Sequence, residues 1–225
     1  MSLDHLGPSP EHSKYVGLMP RYWERVAAQE KDLVDHGYPA EGILDFCQDW
    51  FDGWASQSVD KLSARMTEDI TYIDSTSFGK VKERTLDSCR QSFLAFPDFA
   101  FYPQDDSIRS LPYFDFAEDE LRVTIPWRGI GRQSGRFNIP DTDLTIAPTG
   151  RCINFIGVDR YTTVRDGNGK IRISHIDTDW DMLYYAIGQL SPIQLRKPPS
   201  ERTLRAALAV ERAIMPTLRK LGRVS

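Results

Sequence analysis

The stretch RCINFIGVDRYTTVRDGNGKIRISHIDTDWDMLYYAIGQL, Arg151 to Leu190, decides how this chain is read. Two runs of β type flank Asp166-Gly167-Asn168-Gly169. Gly and Asn accept the positive φ that tight hairpin turns demand, so the segment predicts a hairpin. Side chains alternate between faces with period two, which places Ile153, Phe155, Gly157, Asp159 and Tyr161 on one face of the first arm. The same alternation groups Ile171, Ile173, His175 and Asp177 on the second arm. Each arm is thus expected to end a largely apolar face in a carboxylate, the pattern of a greasy pocket wall with a polar tip.

Working outward, the chain before this hairpin is mostly helical at first. Residues 1 to about 20 are rich in Pro, Ser, Gly and His and read as irregular. Arg21 to His36 carries Tyr22, Trp23, Val26 and Leu33 as a loose apolar stripe, and Gly37 and Pro39 stop it. From Glu41 to Ser56 a clearer helix repeats Ile43, Cys47, Trp50 and Trp54. Those bulky aromatics are either plain core or the floor of a ligand cavity. Val59 to Met66 reads as a short helix, Asp69 to Asp74 as a strand and Ser75 to Gly79 as a turn. Glu83 to Phe96 returns to helical spacing and ends at Pro97. Phe99 to Arg109 and Glu120 to Gly131 are strand candidates. Pro126 within the second signals a bulge or an open edge, because it cannot donate to a ladder. Phe137 to Thr149 reads as a loop. Beyond the hairpin, Ser200 to Leu221 forms an amphipathic helix through Leu204, Leu208, Met215 and Leu218, interrupted at Pro216. Helices segregated from strands indicate an α+β fold.

Composition bounds the function. The chain has 225 residues, and a net charge of -4 argues against nucleic-acid binding, which normally leaves a clustered basic footprint. Cys47, Cys89 and Cys152 form neither a disulfide framework nor a metal knuckle. No apolar run approaches the roughly 20 residues of a membrane span, and the first residues lack the charged start and apolar core of a signal peptide. A cytoplasmic protein with no membrane association is expected. The histidines are too scattered for a metal set, and no glycine-rich phosphate loop follows a strand, so neither metal nor organic cofactor is expected.

Element order and several motifs resemble the nuclear transport factor 2-like superfamily, in particular its SnoaL-like polyketide cyclase and ketosteroid isomerase branch. The resemblance covers roughly residues 40–190. It rests on EDITYIDSTSFG after two helices, FPDFAF after the third, APTGR before the hairpin, DGNGKI at its turn, and HID followed by WDML and GQL. It implies a cone, in which a curved antiparallel sheet wraps around N-terminal helices and leaves a deep cavity. The implied layout is an N-terminal extension at 1–39, a cone domain at 40–192 and a helical C-terminal extension at 193–225. It also implies a homodimer.

Carried over residue by residue, the resemblance makes Asp74 in YIDSTSFG the match for a general base. It makes Asp159 in GVDRY the match for a second, protonated carboxyl. The oxyanion-hole tyrosine of the isomerases falls near Trp50, which has an N–H but no hydroxyl. His175 and Asp177 match the acid–base positions of the cyclases. An epoxide hydrolase would need an Arg-x-Asp pair, and no Asp lies near Arg128. Burial raises a carboxyl's pKa and suits it to proton transfer beside a carbonyl. The expected function is a cofactor-independent isomerase, aldol-type cyclase or dehydratase acting on a hydrophobic carbonyl compound. Asp74, Asp159, His175 and Asp177 would be catalytic, and Trp50, Trp54, Tyr72, Trp127, Phe155 and Tyr161 would line the pocket. The alternatives are a non-catalytic ligand-binding or assembly module of the same fold, and an epoxide hydrolase.

Overall fold

The computed structural model describes residues 3–74, 77–117, 120–138 and 145–181, together with Arg205 and Ala209. The chain divides into two compact units, 1–185 and 186–225. Of the second unit only Arg205 and Ala209 are described, both helical, so the predicted Ser200–Leu221 stripe lies outside the described residues.

The first unit begins with helical turns, including α1 (His12–Tyr15), and continues into α2 (Met19–Asp35), α3 (Ile43–Ala55) and α4 (Val59–Ala64). Then follow β1 (Met66–Asp74), β2 (Ser77–Val81) and α5 (Lys82–Ala95). The remaining strands are β3 (Ala100–Tyr102), β4 (Tyr113–Ala117), β5 (Glu120–Arg132), β6 (Phe137–Asn138), β7 (Thr145–Ile146), β8 (Cys152–Arg165) and β9 (Ile171–Trp180). The main sheet runs β2-β1-β9-β8-β5-β3, with β4 also on β5, while β6 and β7 form a small separate ribbon. Pairing is antiparallel except between β1 and β9, which run parallel. This is the α+β architecture expected from the segregated pattern.

Several boundaries differ from the sequence reading. Of the expected turn at residues 75–79, residues 77–79 belong to β2, which pairs with β1. The expected strand Phe99–Arg109 shrinks to Ala100–Tyr102, because Ile108–Ser110 forms a 3₁₀ turn. That turn is held by Asp105, whose side chain accepts from the Ser107 amide and the Ser110 hydroxyl. The expected loop Phe137–Thr149 contains the β6–β7 ribbon. Pro126 sits between Thr124, paired with β4, and Arg128, paired with β3. The edge of β5 is open at that point, so a residue without an N–H fits there.

The hairpin turn forms as read. The Asp166 carboxylate accepts from the Asn168 and Lys170 amides, and Gly169 adopts φ 76°. Along β8 the alternation holds throughout: Ile153, Phe155, Gly157, Asp159 and Tyr161 are all buried. Along β9 it breaks. Thr162 pairs with His175 but Thr163 pairs with Ile173, so Ser174 is an extra residue in the register with β8, its hydroxyl donating to the Thr162 carbonyl. A one-residue bulge sends every later side chain to the opposite face. Ile171 and Ile173 point inward before it, Ile176 and Thr178 after it, and His175 and Asp177 are turned outward.

Helices α2 and α3 fill the inner face of the sheet with Tyr22, Val26, Ile43, Phe46, Cys47, Trp50 and Phe51. The core is unusually rich in rings. Trp54 meets Phe93, Phe99 and Phe101 at centroid distances of 5.0 to 5.6 Å, and Phe46 and Trp50 stand edge-on to Tyr161. The N-terminal segment is tied to this body. Asp98 accepts from the Ser9 amide (2.6 Å) and lies 3.1 Å from His12 Nε2, while His12 Nδ1 lies 2.9 Å from the Tyr102 hydroxyl. Arg128 covers the Tyr15 ring at 4.7 Å.

Candidate active site

The register of the sheet builds the site. Asp74 on β1 pairs with Thr178 on β9, and Thr178 pairs with Asp159 on β8. One row across the inner face therefore reads Asp74, Thr178, Asp159, Ile125. The row beside it reads Tyr72, Ile176, Tyr161, Val123. With strands about 4.8 Å apart, the two carboxyl-bearing positions stand roughly 10 Å from each other across β9.

Asp159 is 5% exposed, a carboxyl among rings. Tyr161 donates its hydroxyl to Oδ2 at 2.5 Å and Thr178 donates to Oδ1 at 2.8 Å. Burial raises the Asp159 pKa, opposed by the hydrogen bonds from Tyr161 and Thr178, by the Trp127 indole N–H turned toward the carboxyl without completing a bond, and by the nearby Arg160 charge. The desolvation cost wins, which favours the protonated acid. Tyr161 and Tyr72 are pushed well above the ordinary phenol range, first by burial and then by neighbouring carboxylates: Asp159 for Tyr161, Asp74 and Asp159 for Tyr72. Tyr72 also hydrogen-bonds Asp74. Asp74 is only half-buried. The indole of Trp50 is edge-on to the Tyr161 ring with its N–H toward the phenol oxygen.

Of the expected catalytic set, the structure brings Asp74 and Asp159 to one face. It does not bring His175 and Asp177 there, which corrects the expectation that β9 offers them to the same pocket. Past the Ser174 bulge both lie on the outer face. Arg160 Nη2 binds Asp177 at 2.9 Å and Asp179 at 2.7 Å, and His175 Nδ1 lies 2.5 Å from the Thr71 hydroxyl. They help line a groove of about 310 Å³ with Tyr113, Phe114, Arg122 and Thr124. Arg128 also points away from Asp159, since Nη1 donates to Asn154. Of the expected lining residues, Trp50, Trp127, Phe155 and Tyr161 are buried in the aromatic cluster, while Trp54 and Tyr72 are partly buried against it. Thr178 escaped sequence reasoning. Only the bulge turns it inward, and no local pattern announces that. Among the described residues no group of His, Cys, Asp and Glu is arranged to hold a metal ion, and no helix is long and apolar enough to cross a membrane.

No family model matches the sequence, and no curated protein matches it. Solved structures do match. A proposed SnoaL-like polyketide cyclase from Jannaschia sp. CCS1 superposes at a TM-score of 0.50 with 18% identity, over 67% of this chain and 92% of that one. AclR, a proposed hydroxylase from Streptomyces galilaeus, superposes at 0.51 with 16% identity, over 77% and 94%. The likeness is one of fold: this chain is built as these two structures are, with helices packed against one face of a mostly antiparallel sheet.

Proposed function

We propose that this chain is a cofactor-independent proton-transfer enzyme acting on a hydrophobic, carbonyl-bearing small molecule, by isomerisation, aldol-type cyclisation or dehydration. The observation that carries this reading is a buried Asp159 carboxyl, whose pKa burial raises, in one row with the half-buried Asp74. Two carboxyls in environments that differ this much divide into an acid and a base. Asp74 takes a proton from the carbon beside the carbonyl. The C–H electron pair becomes the new C=C bond, and the carbonyl π pair moves onto oxygen. The protonated Asp159, oriented by Tyr161 and Thr178, donates a hydrogen bond to that oxygen. Return of the proton at another carbon completes an isomerisation; in a cyclisation the enolate carbon instead bonds to a second carbonyl carbon, whose oxygen takes the proton, and in a dehydration the β-hydroxyl leaves with the proton as water. The acid role falls to Asp159 rather than to His175 and Asp177, which the bulge turns outward. The name of the Jannaschia protein, a cyclase, fits this chemistry.

The test needs no knowledge of the natural substrate. Incubation of a panel of aryl and alkyl ketones with the protein in D₂O is expected to place deuterium on the carbon next to the carbonyl, read by NMR. Asp74→Asn and Asp159→Asn are expected to abolish the incorporation. Unchanged incorporation in both variants, or none with the native protein, rejects the enzymatic reading. In that case a second reading stands, a binding module, favoured by how completely Trp54, Phe93, Phe99 and Phe101 pack together. For assembly we propose a homodimer paired through the outer sheet face that carries the groove and the exposed Tyr113; sedimentation equilibrium decides it.

A further inference from the structure

Trp127 is 4% exposed, and its indole Nε1 is fully buried without a hydrogen-bond partner. An unpaired buried N–H costs about 1–3 kcal/mol, so its persistence calls for a reason. The ring's place is set by its cross-strand neighbour. Trp127 on β5 pairs with Gly157 on β8, and a Cβ at Gly157 would stand 2.3 Å from Cζ2 and 2.5 Å from Cη2 of the indole. Cζ2 adjoins the ring carbon that bears Nε1, so the glycine makes room for the N–H edge in particular. The Asp179 carbonyl oxygen stands 2.8 Å from the same point, so backbone also crowds the place a side chain would take. Phe101 at 4.7 Å and Phe155 at 5.5 Å fix the ring plane. Asp159 is the next inward residue beyond Gly157 on β8, a diagonal neighbour of Trp127, and the indole N–H is turned toward its carboxyl without completing a hydrogen bond.

We propose, resting on the proton-transfer reading above, that Trp127 Nε1 is a second hydrogen-bond donor to the substrate oxygen, paired with the Asp159 carboxyl, and that Gly157 is the residue that positions it. Two donors converging on one oxygen stabilise the negative charge that develops there. Trp127 is then a catalytic residue by contact, and Gly157 a positioning residue that acts through it. An N–H committed to a protein acceptor could not serve in this way.

The probe is 2-naphthol, whose hydroxyl stands in for the enol oxygen, with naphthalene as the control that lacks it. In ¹⁵N-labelled native protein the Trp127 indole resonance, assigned by its contacts with the Phe101 and Phe155 rings, is expected to move downfield as 2-naphthol is added and to stay in place with naphthalene. Trp127→Phe keeps the ring and removes the N–H. It is expected to bind 2-naphthol about tenfold more weakly, the factor for one hydrogen bond, and naphthalene equally well. Gly157→Ala is expected to reproduce the loss with the indole still present. An unmoved Trp127 resonance with 2-naphthol affinity lost only in Asp159→Asn overturns this inference and leaves the proton-transfer reading intact. The resonance of the native protein decides the matter even where a variant does not fold. Absence of any response to 2-naphthol in the native protein overturns this inference, while the proton-transfer reading is decided separately by deuterium incorporation.

Discussion

Tyr161→Phe isolates the hydrogen bond on which the acid role of Asp159 rests. The substitution keeps the edge-on packing against Phe46 and Trp50 and removes only the hydroxyl that donates to Asp159 at 2.5 Å. A hydrogen bond to a neutral group is worth about 0.5–1.5 kcal/mol and one to a charged group about 1.5–3 kcal/mol. Below the ordinary aspartate pKa of about 3.9 the carboxyl is protonated in folded and unfolded chains alike, and the loss is the smaller figure. As pH rises the unfolded chain ionises first, because burial raises the folded pKa, so folded stability declines until the folded carboxyl ionises as well. The Tyr161 donor opposes that rise, and its removal pushes the folded ionisation to still higher pH. The stability gap between native protein and variant therefore widens through this range, to about 2–3 kcal/mol where native Asp159 is ionised. For a chain of this size that is a Tm difference growing from about 2–4 °C in acid to about 5–10 °C in base. Thermal unfolding followed by circular dichroism from pH 4 to 9 measures it. A gap that already stands at about 2–3 kcal/mol at pH 4 and stays there, or a variant more stable than the native protein, refutes the placement of the proton on Asp159.

Three further outcomes follow from other contacts. Burial raises the Asp98 pKa, but the His12, Arg132 and Ser9 donors outweigh it and the net shift is downward. The stability this lends is present above about pH 3.9 and lost as pH falls through the lower folded value, so hydrogen exchange of residues 3–16 is expected to accelerate in acid before the core amides do. Arg65 is 2% exposed and binds Asp45, Asp49 and the Ile171 carbonyl; Arg65→Met is expected to cost about 2–4 kcal/mol by urea unfolding, since it leaves a buried carbonyl unpaired. Arg160→Ala, which breaks half-exposed pairs with Asp177 and Asp179, is expected to change stability by less than about 1 kcal/mol and to leave deuterium incorporation unaltered.

The sequence made β8 legible because nothing interrupts it. Period two alone places Phe155, Asp159 and Tyr161 on the buried face, and they are there. The same rule misplaces His175 and Asp177, because the bulge at Ser174 arises from pairing with Thr162 and Thr163 and leaves no local mark. Thr178, which holds one oxygen of Asp159, was hidden for the same reason. Trp127 was found as an inward residue, yet the function of its neighbour Gly157 shows only when the cross-strand partner is known. The N-terminal segment read as irregular because its order comes from contacts 86 to 143 residues away, such as His12 with Asp98 and Glu11 with Asn154. Short-range propensity carries no information at that separation.

The extra residue at Ser174 also sets rules for redesigning β9. Randomising interior-facing codons means choosing odd numbers up to 173 and even numbers from 176, so a library built on unbroken alternation would scramble solvent-facing codons instead. Removing Ser174 would exchange the two surfaces for every position after it, turning Thr178 away from Asp159 and driving the Asp177 carboxylate into the rings.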